Sequence, residues 1–168
     1  MAEQPLASLL ARRWAVEVKP VGAEETEYTR VRGINSFQPS LSPTMEDSTD
    51  FDNDGWSSSE KTLQGWSLAI GYIEKIGQDE TAAQDPGQLI LEEASDKFGG
   101  DGFVDVRWYE RGGGKAYQGN AAVQYEPQGG GPSALSTVNV TLNGNGKRNR
   151  IEHPEDTSTP PEEGGSGE

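Results

Sequence analysis

Leu63-Gln64-Gly65-Trp66-Ser67-Leu68-Ala69-Ile70-Gly71-Tyr72-Ile73 places Trp66, Leu68, Ile70 and Tyr72 at every second position. Successive side chains of a strand point to opposite faces, so this period predicts a β-strand with one face in a core. Working outward, Trp14-Ala15-Val16-Glu17-Val18-Lys19 alternates loosely and stops at Pro20. Tyr28-Thr29-Arg30-Val31-Arg32-Gly33-Ile34 alternates too, and the polar stretch 21–27 between the two resembles a hairpin loop. They are expected to form an antiparallel pair. On the C-terminal side, Asp85-Pro86-Gly87-Gln88 combines an N-cap acid, a proline in the first helical position and a glutamine three residues after the cap. Leu89, Ile90 and Ala94 supply an apolar side and Gly99-Gly100 a stop, predicting one helix over 86–97. Three more strands are expected at 103–110, 115–126 and 135–142, divided by Gly112-Gly113-Gly114, Pro127 with a glycine cluster, and Asn143-Gly144.

Between the second and third strands, periodicity disappears. Residues 36–61 fill with Ser, Pro, Asp, Thr and Gly and are expected to form a long loop, yet Phe37, Phe51 and Trp56 argue against plain disorder. A loop that orders against a neighbouring subunit reconciles the two. Residues 152–168, rich in Pro, Glu, Gly and Ser, are expected to be a disordered acidic tail after a single domain at 1–151.

The composition narrows the function. Hydrophobic residues make up 32%, mean hydropathy is -0.76, and there are 22 glycines and 10 prolines, so an isolated monomer has little to bury. The absence of cysteine excludes disulfides, zinc-thiolate sites and thiol catalysis. The short apolar stretch before Arg12-Arg13 does not have the order of a signal peptide, and no run of about 18 apolar residues predicts a membrane helix. The net charge is -14; six acids lie from Glu152 onward, leaving 22 acids against 14 bases, or -8, before it. That balance opposes ordinary nucleic-acid binding, which displaces counterions with Lys and Arg. It does not oppose a surface that must let DNA slide past without sticking.

Asp50-Phe51-Asp52-Asn53-Asp54-Gly55 has the opening of a calcium loop. The twelfth position is Lys61 instead of an acid, so an Asx-turn loop is the competing reading. A calcium-dependent β-sandwich binding module, such as an adhesin, is the alternative function that this motif motivates. His153, the only histidine, falls in the acidic tail, where no triad is expected. Asn143-Gly144-Asn145-Gly146-Lys147 lacks the full phosphate-loop pattern and reads as a hairpin turn. Lys147, Arg148 and Arg150 form a basic patch, either a solvated strand end or a contact for the acidic Glu46–Asp54 stretch of another copy. Trp56 is either an interface anchor or local loop packing. No nucleophile, base and oxyanion site occur together, so no enzyme is expected and no cofactor is implied.

The layout resembles the major tail tube family of siphophages. The resemblance rests on the Trp14–Lys19 strand and on Val31-Arg32-Gly33-Ile34-Asn35-Ser36-Phe37 entering a long polar loop. It also rests on Thr49-Asp50-Phe51-Asp52, the helix opened by Asp85-Pro86-Gly87-Gln88, and Val138-Asn139-Val140-Thr141-Leu142-Asn143-Gly144-Asn145-Gly146. It implies an antiparallel β-sandwich or partial barrel that closes into an inner β-barrel on hexamer formation, in rings stacked as a non-contractile tail tube. The implied partners are further copies of itself, other tail proteins including a tape measure, and double-stranded DNA passing through the lumen without specific binding; no membrane is involved. The implied location is the virion, after assembly in the host cytoplasm. The loop 36–61 inherits the contacts between subunits, making Phe37, Glu46, Asp47, Asp50, Asp52, Asp54 and Trp56 candidate interface residues; the basic patch adds Lys147, Arg148 and Arg150, and no catalytic, cofactor or metal residues are expected.

Overall fold

A computed structural model describes residues 6–8 and 10–157. The period-2 stretch does form a strand, β4 (Ser59–Ile73), inside one antiparallel sheet. The other strands are β1 (Trp14–Pro20), β2 (Thr29–Arg30), β3 (Ile34–Asp47), β5 (Phe103–Glu110), β6 (Ala116–Gln128) and β7 (Thr137–Arg150). Their order is β2-β1-β5-β6-β7-β4-β3, so the fold is mainly β, antiparallel and open, with one α-helix among the described residues, α1 (Pro86–Ser95), against it.

Alternation decides which face is buried. Across β3, β4, β7 and β6 the register aligns Phe37-Ile70-Val140-Tyr125 and Pro39-Leu68-Leu142-Val123, and Leu68, Ile70, Val140 and Leu142 are buried. Val16 and Val18 of β1 and Val104, Val106 and Trp108 of β5 continue the same core. The sheet rolls over this apolar face until its two ends approach. Trp14 of β1 stacks on Phe37 of β3 with ring centroids 5.2 Å apart. Residues 31–33 cross the gap, with the Val31 amide donating to Val16 and the Ile73 amide to Gly33. Gly33 lies at φ 76, and a Cβ there would run into the Ile73 carbonyl, so glycine is required at the crossing.

The helix closes the open side of the roll. Asp85 caps it, accepting from the Gln88 amide at 3.3 Å, and Pro86 occupies the first turn as expected. Gln88 does not complete a capping box. Its fully buried side chain accepts from the Lys75 amide at 3.0 Å and donates to the Arg32 and Ile73 carbonyls at 2.8 and 3.0 Å, stapling helix to sheet.

Four sequence expectations change. The strand expected over 28–34 divides into β2 and the start of β3, because the chain crosses the roll at 31–33. The helix ends at Ser95 instead of 97. The long loop 36–61 is mostly a β-hairpin, β3 and β4 paired from Ile34↔Tyr72 out to Asp47↔Ser59. Asn143-Gly144-Asn145-Gly146 is no turn; β7 runs through it to Arg150.

The physical reason for the last change is Trp66. Its ring lies on Gly119 of β6 and Gly144 of β7, where any Cβ would occupy ring space. It packs on Trp108 at 5.2 Å, and its Nε1–H donates to the Gly146 carbonyl at 3.0 Å. Glycine in a strand marks such close approach as readily as a turn.

Candidate assembly interface

Pairing of β4 with β7 ends at Ser67↔Asn143, whereas pairing of β4 with β3 continues to Asp47↔Ser59. The outer half of this hairpin is therefore a two-stranded arm beyond the sheet, pinned at its base by Trp66. Isolated two-stranded hairpins are marginal in water at best. The arm also exposes apolar side chains: Leu41, Met45 and Leu63 on its strands, Phe51 and Trp56 at its tip, with Trp56 80% exposed. Clustered large apolar groups with no intramolecular cover mark an interaction surface.

At the tip, Ser48 and Ser58 bond through backbone and side chains, and Asp47 accepts from the Thr49 amide at 2.8 Å. The Thr49 side chain first, and then this bond from its amide, holds the Asp47 carboxyl below its usual range. Asp50 accepts from the Asp52 amide at 3.0 Å, an Asx turn opening a single 3-10 turn, and Asp54 follows in the left-handed region at φ 49. Among the described residues no three His, Cys, Asp or Glu side chains group as a metal site. The loop chemistry is that of the Asx turn, in which a carboxylate is used on backbone.

The candidate residues fall into three places. Glu46, Asp47, Asp50, Asp52, Asp54 and Trp56 gather at the arm's exposed end. Phe37 is half-buried under Trp14 inside its own chain. Lys147, Arg148 and Arg150 lie on the last turns of β7; Arg148 sits 4.2 Å over the Tyr117 ring, a cation–π contact, while Lys147 and Arg150 are exposed. Among the described residues none of the three forms an ion pair, and the chain does not bring them to its own acidic tip.

Three features went unread in the sequence. The face of β3, β4, β7 and β6 opposite the core aligns Ser40-Ser67-Asn143-Ala122, Gln38-Ala69-Thr141-Gln124 and Ser36-Gly71-Asn139-Glu126. One of these twelve residues is charged, in a chain where a quarter are. The alternation Val138-Asn139-Val140-Thr141-Leu142-Asn143 already carried that signal. On the matching face of β1 and β5 there is instead a polar network. Lys19 bonds Asp105 at 3.1 Å, Asn120 donates to Asp105 at 3.0 Å, Arg107 pairs with Glu17, and Tyr109 donates to Glu17 at 3.0 Å. Burial first, then that bond to Glu17, pushes the Tyr109 hydroxyl up to about 12.

The third feature is His153, which is buried instead of trailing free. Its ring meets Tyr109 edge-on at 5.2 Å, Nε2 bonds the Glu110 carbonyl, and Nδ1 accepts from the Glu155 amide at 3.2 Å. Both ring nitrogens are thus engaged with backbone groups of the same chain, a structural role. The remainder of the expected acidic tail, 158–168, lies outside the described residues.

No protein-family model and no curated protein sequence matches the chain. Solved structures do. A chain in the tail of an empty gene transfer agent particle, refined with C6 symmetry, has 10% identity and a TM-score of 0.65 over 86% of this chain and all of that one. A chain in the sixfold-symmetrised baseplate of the anti-feeding prophage has 7% identity and a TM-score of 0.54, covering 89% of this chain and 97% of that one. A chain in the sheath/tube terminator of an extracellular contractile injection system has 12% identity and a TM-score of 0.54, covering 90% and 100%. At these identities the likeness is one of fold, so the chain shares its architecture with proteins solved in phage-like tails and injection systems.

Proposed function

We propose that this protein is a structural tail tube subunit: copies close into six-membered rings, and the rings stack into the DNA conduit of a non-contractile phage tail. The observation that carries this reading is the β3–β4 arm, two strands with exposed apolar residues and, among the described residues, no third strand to support it. A neighbouring copy would supply that support, and burial there would offset the poor core of an acidic, glycine-rich monomer. The shared fold with chains from a C6-symmetric tail and a sixfold-symmetrised baseplate favours the ring arrangement.

In this reading the nearly uncharged face of β3, β4, β7 and β6 lines the lumen. Ser, Thr, Asn, Gln, Ala and Gly serve there as a neutral lining. They offer no Lys or Arg to grip phosphates and little negative charge to oppose a duplex carrying roughly one charge per 1.7 Å. The basic Lys147–Arg150 end of β7 and the acidic arm tip of the next copy form a complementary pair between subunits.

Replacing residues 43–64 with a two-residue Asn-Gly turn removes the arm while keeping the register Ser42↔Gly65. The shortened protein is expected to fold and to sediment as a monomer at concentrations where the full chain assembles. Assembly unchanged by the deletion would remove the arm from the interface.

A further inference from the structure

Where the two ends of the rolled sheet approach, a groove of about 630 Å³ remains between β1, the 31–33 crossing and β3. Arg12, Arg30, Arg32 and Arg111 line it, and no Asp or Glu does, in a protein with net charge -14. They arrive from separate parts of the chain: a 3-10 turn before β1, the end of β2, the crossing, and the residue after β5. Of the four, only Arg32 has an ion-pair partner among the described residues, Asp85 at 3.7 Å, and the Arg32 side chain remains largely exposed.

Like charges are held together here. The Arg111 amide donates to the Arg13 carbonyl at 2.8 Å and its guanidinium to the Arg12 carbonyl at 3.3 Å, while the Arg13 guanidinium donates to the Arg111 carbonyl at 3.2 Å. These bonds use backbone oxygens, so they fix the cations side by side without neutralising them. A cleft lined by one sign of charge concentrates its field on an ion of the other sign. The groove adds uncharged polar groups in Asn35 and Ser36, and Asn35 is the extra residue of a bulge in the β3–β4 register.

The class of anion follows from shape and charge density. A guanidinium presents its N–H groups as a planar fork that matches the oxygens of phosphate and carboxylate. An extended acidic peptide brings at most one carboxylate per about 3.3 Å of chain and must fit its backbone as well. Linked phosphates bring several charges in a far smaller volume, with acceptor oxygens on every side. We propose that the groove is a binding site for an oligophosphate, with Arg12, Arg30 and Arg111 holding its phosphate oxygens. The site lies apart from the exposed arm tip and does not depend on the tube reading.

Calorimetric titration of the dilute full-length protein with inorganic tripolyphosphate, in buffer free of divalent cations, is expected to show binding. Orthophosphate at matched ionic strength should bind at least about tenfold more weakly, because a single phosphate engages fewer guanidinium forks. Arg12→Gln/Arg111→Gln should weaken tripolyphosphate at least about tenfold. Lys97→Gln/Lys115→Gln makes the same change in net charge at exposed positions outside the groove and should leave the affinity within about twofold. On the isotope-labelled native protein, amide shifts should centre on residues 12–14, 30–36 and 111, which tests the site without any substitution. Adenosine triphosphate separates two sources of the same chemistry: affinity equal to that of tripolyphosphate assigns a free phosphate chain, and higher affinity assigns a nucleotide, either of which upholds the site. Four outcomes overturn the proposal: no binding of tripolyphosphate, equal affinity for orthophosphate, equal losses in the two double variants, or amide shifts centred on Lys147–Arg150 instead.

Discussion

Gly144→Ala is expected to change sign with its neighbour. The backbone at Gly144 is outside the positive-φ region, so alanine is conformationally admissible there. Replacing a strand-interior glycine under such conditions stabilises by about 0.5–1 kcal/mol, through the unfolded chain. Here the added methyl would enter the Trp66 ring, which is 6% exposed and held by Trp108 and the Gly146 carbonyl. Forcing a group into a packed core costs about 1–3 kcal/mol, so in the native background Gly144→Ala destabilises. Trp66→Ala alone costs about 3–5 kcal/mol, but it empties the space above Gly144. In that background Gly144→Ala should stabilise; the unfolded-chain gain is common to both backgrounds, so the coupling between the two positions is the clash alone, about 1–3 kcal/mol. Urea unfolding followed by far-ultraviolet circular dichroism measures all four species without relying on tryptophan emission. A neutral or stabilising Gly144→Ala in the native background, or equal effects in both, would refute the claim that Trp66 pins the arm to the glycine floor.

Gln88→Leu preserves size but strands the Lys75 amide and the Arg32 and Ile73 carbonyls, so it should cost at least about 2 kcal/mol in the same denaturation assay. Tyr109 keeps its proton to about 12 when folded but ionises near 10 when unfolded. Its contribution is therefore fully present below pH 10 and is lost as pH rises from 10 to 12, and Tyr109→Phe should reduce that alkaline loss by about 1.4 kcal/mol per pH unit. Phe51→Ser with Trp56→Ser alters only exposed tip residues, so monomer stability should stay within about 0.5 kcal/mol while sedimentation shows weakened assembly.

What the sequence made legible was set by period and punctuation. The 103–110 strand is bounded as expected because Val104, Val106 and Trp108 alternate cleanly and three glycines follow. The helix start was legible because Asp85 and Pro86 act locally. The arm was not, because Pro39 and Pro43 read as breakers; β3 is an edge strand, where proline is tolerated, and Phe37, Pro39, Leu41, Pro43 and Met45 in fact alternate. Asn143-Gly144-Asn145-Gly146 misled for a related reason: its glycines answer to a tryptophan 78 residues away, at Trp66, and no local pattern encodes that approach. The arginine groove was invisible because Arg12, Arg30 and Arg111 converge only when the sheet rolls. The acidic tip was legible as a cluster, but its role as an Asx turn depended on which backbone amide Asp50 met.

The central claim is assembly, and negative-stain electron microscopy of the purified full-length protein across a concentration series tests it most directly. The account predicts hollow tubes, or sixfold rings at lower concentration, whose formation is abolished when 43–64 is replaced by a short turn. A protein that stays a dispersed monomer at every concentration, or associates only into solid aggregates, would contradict it.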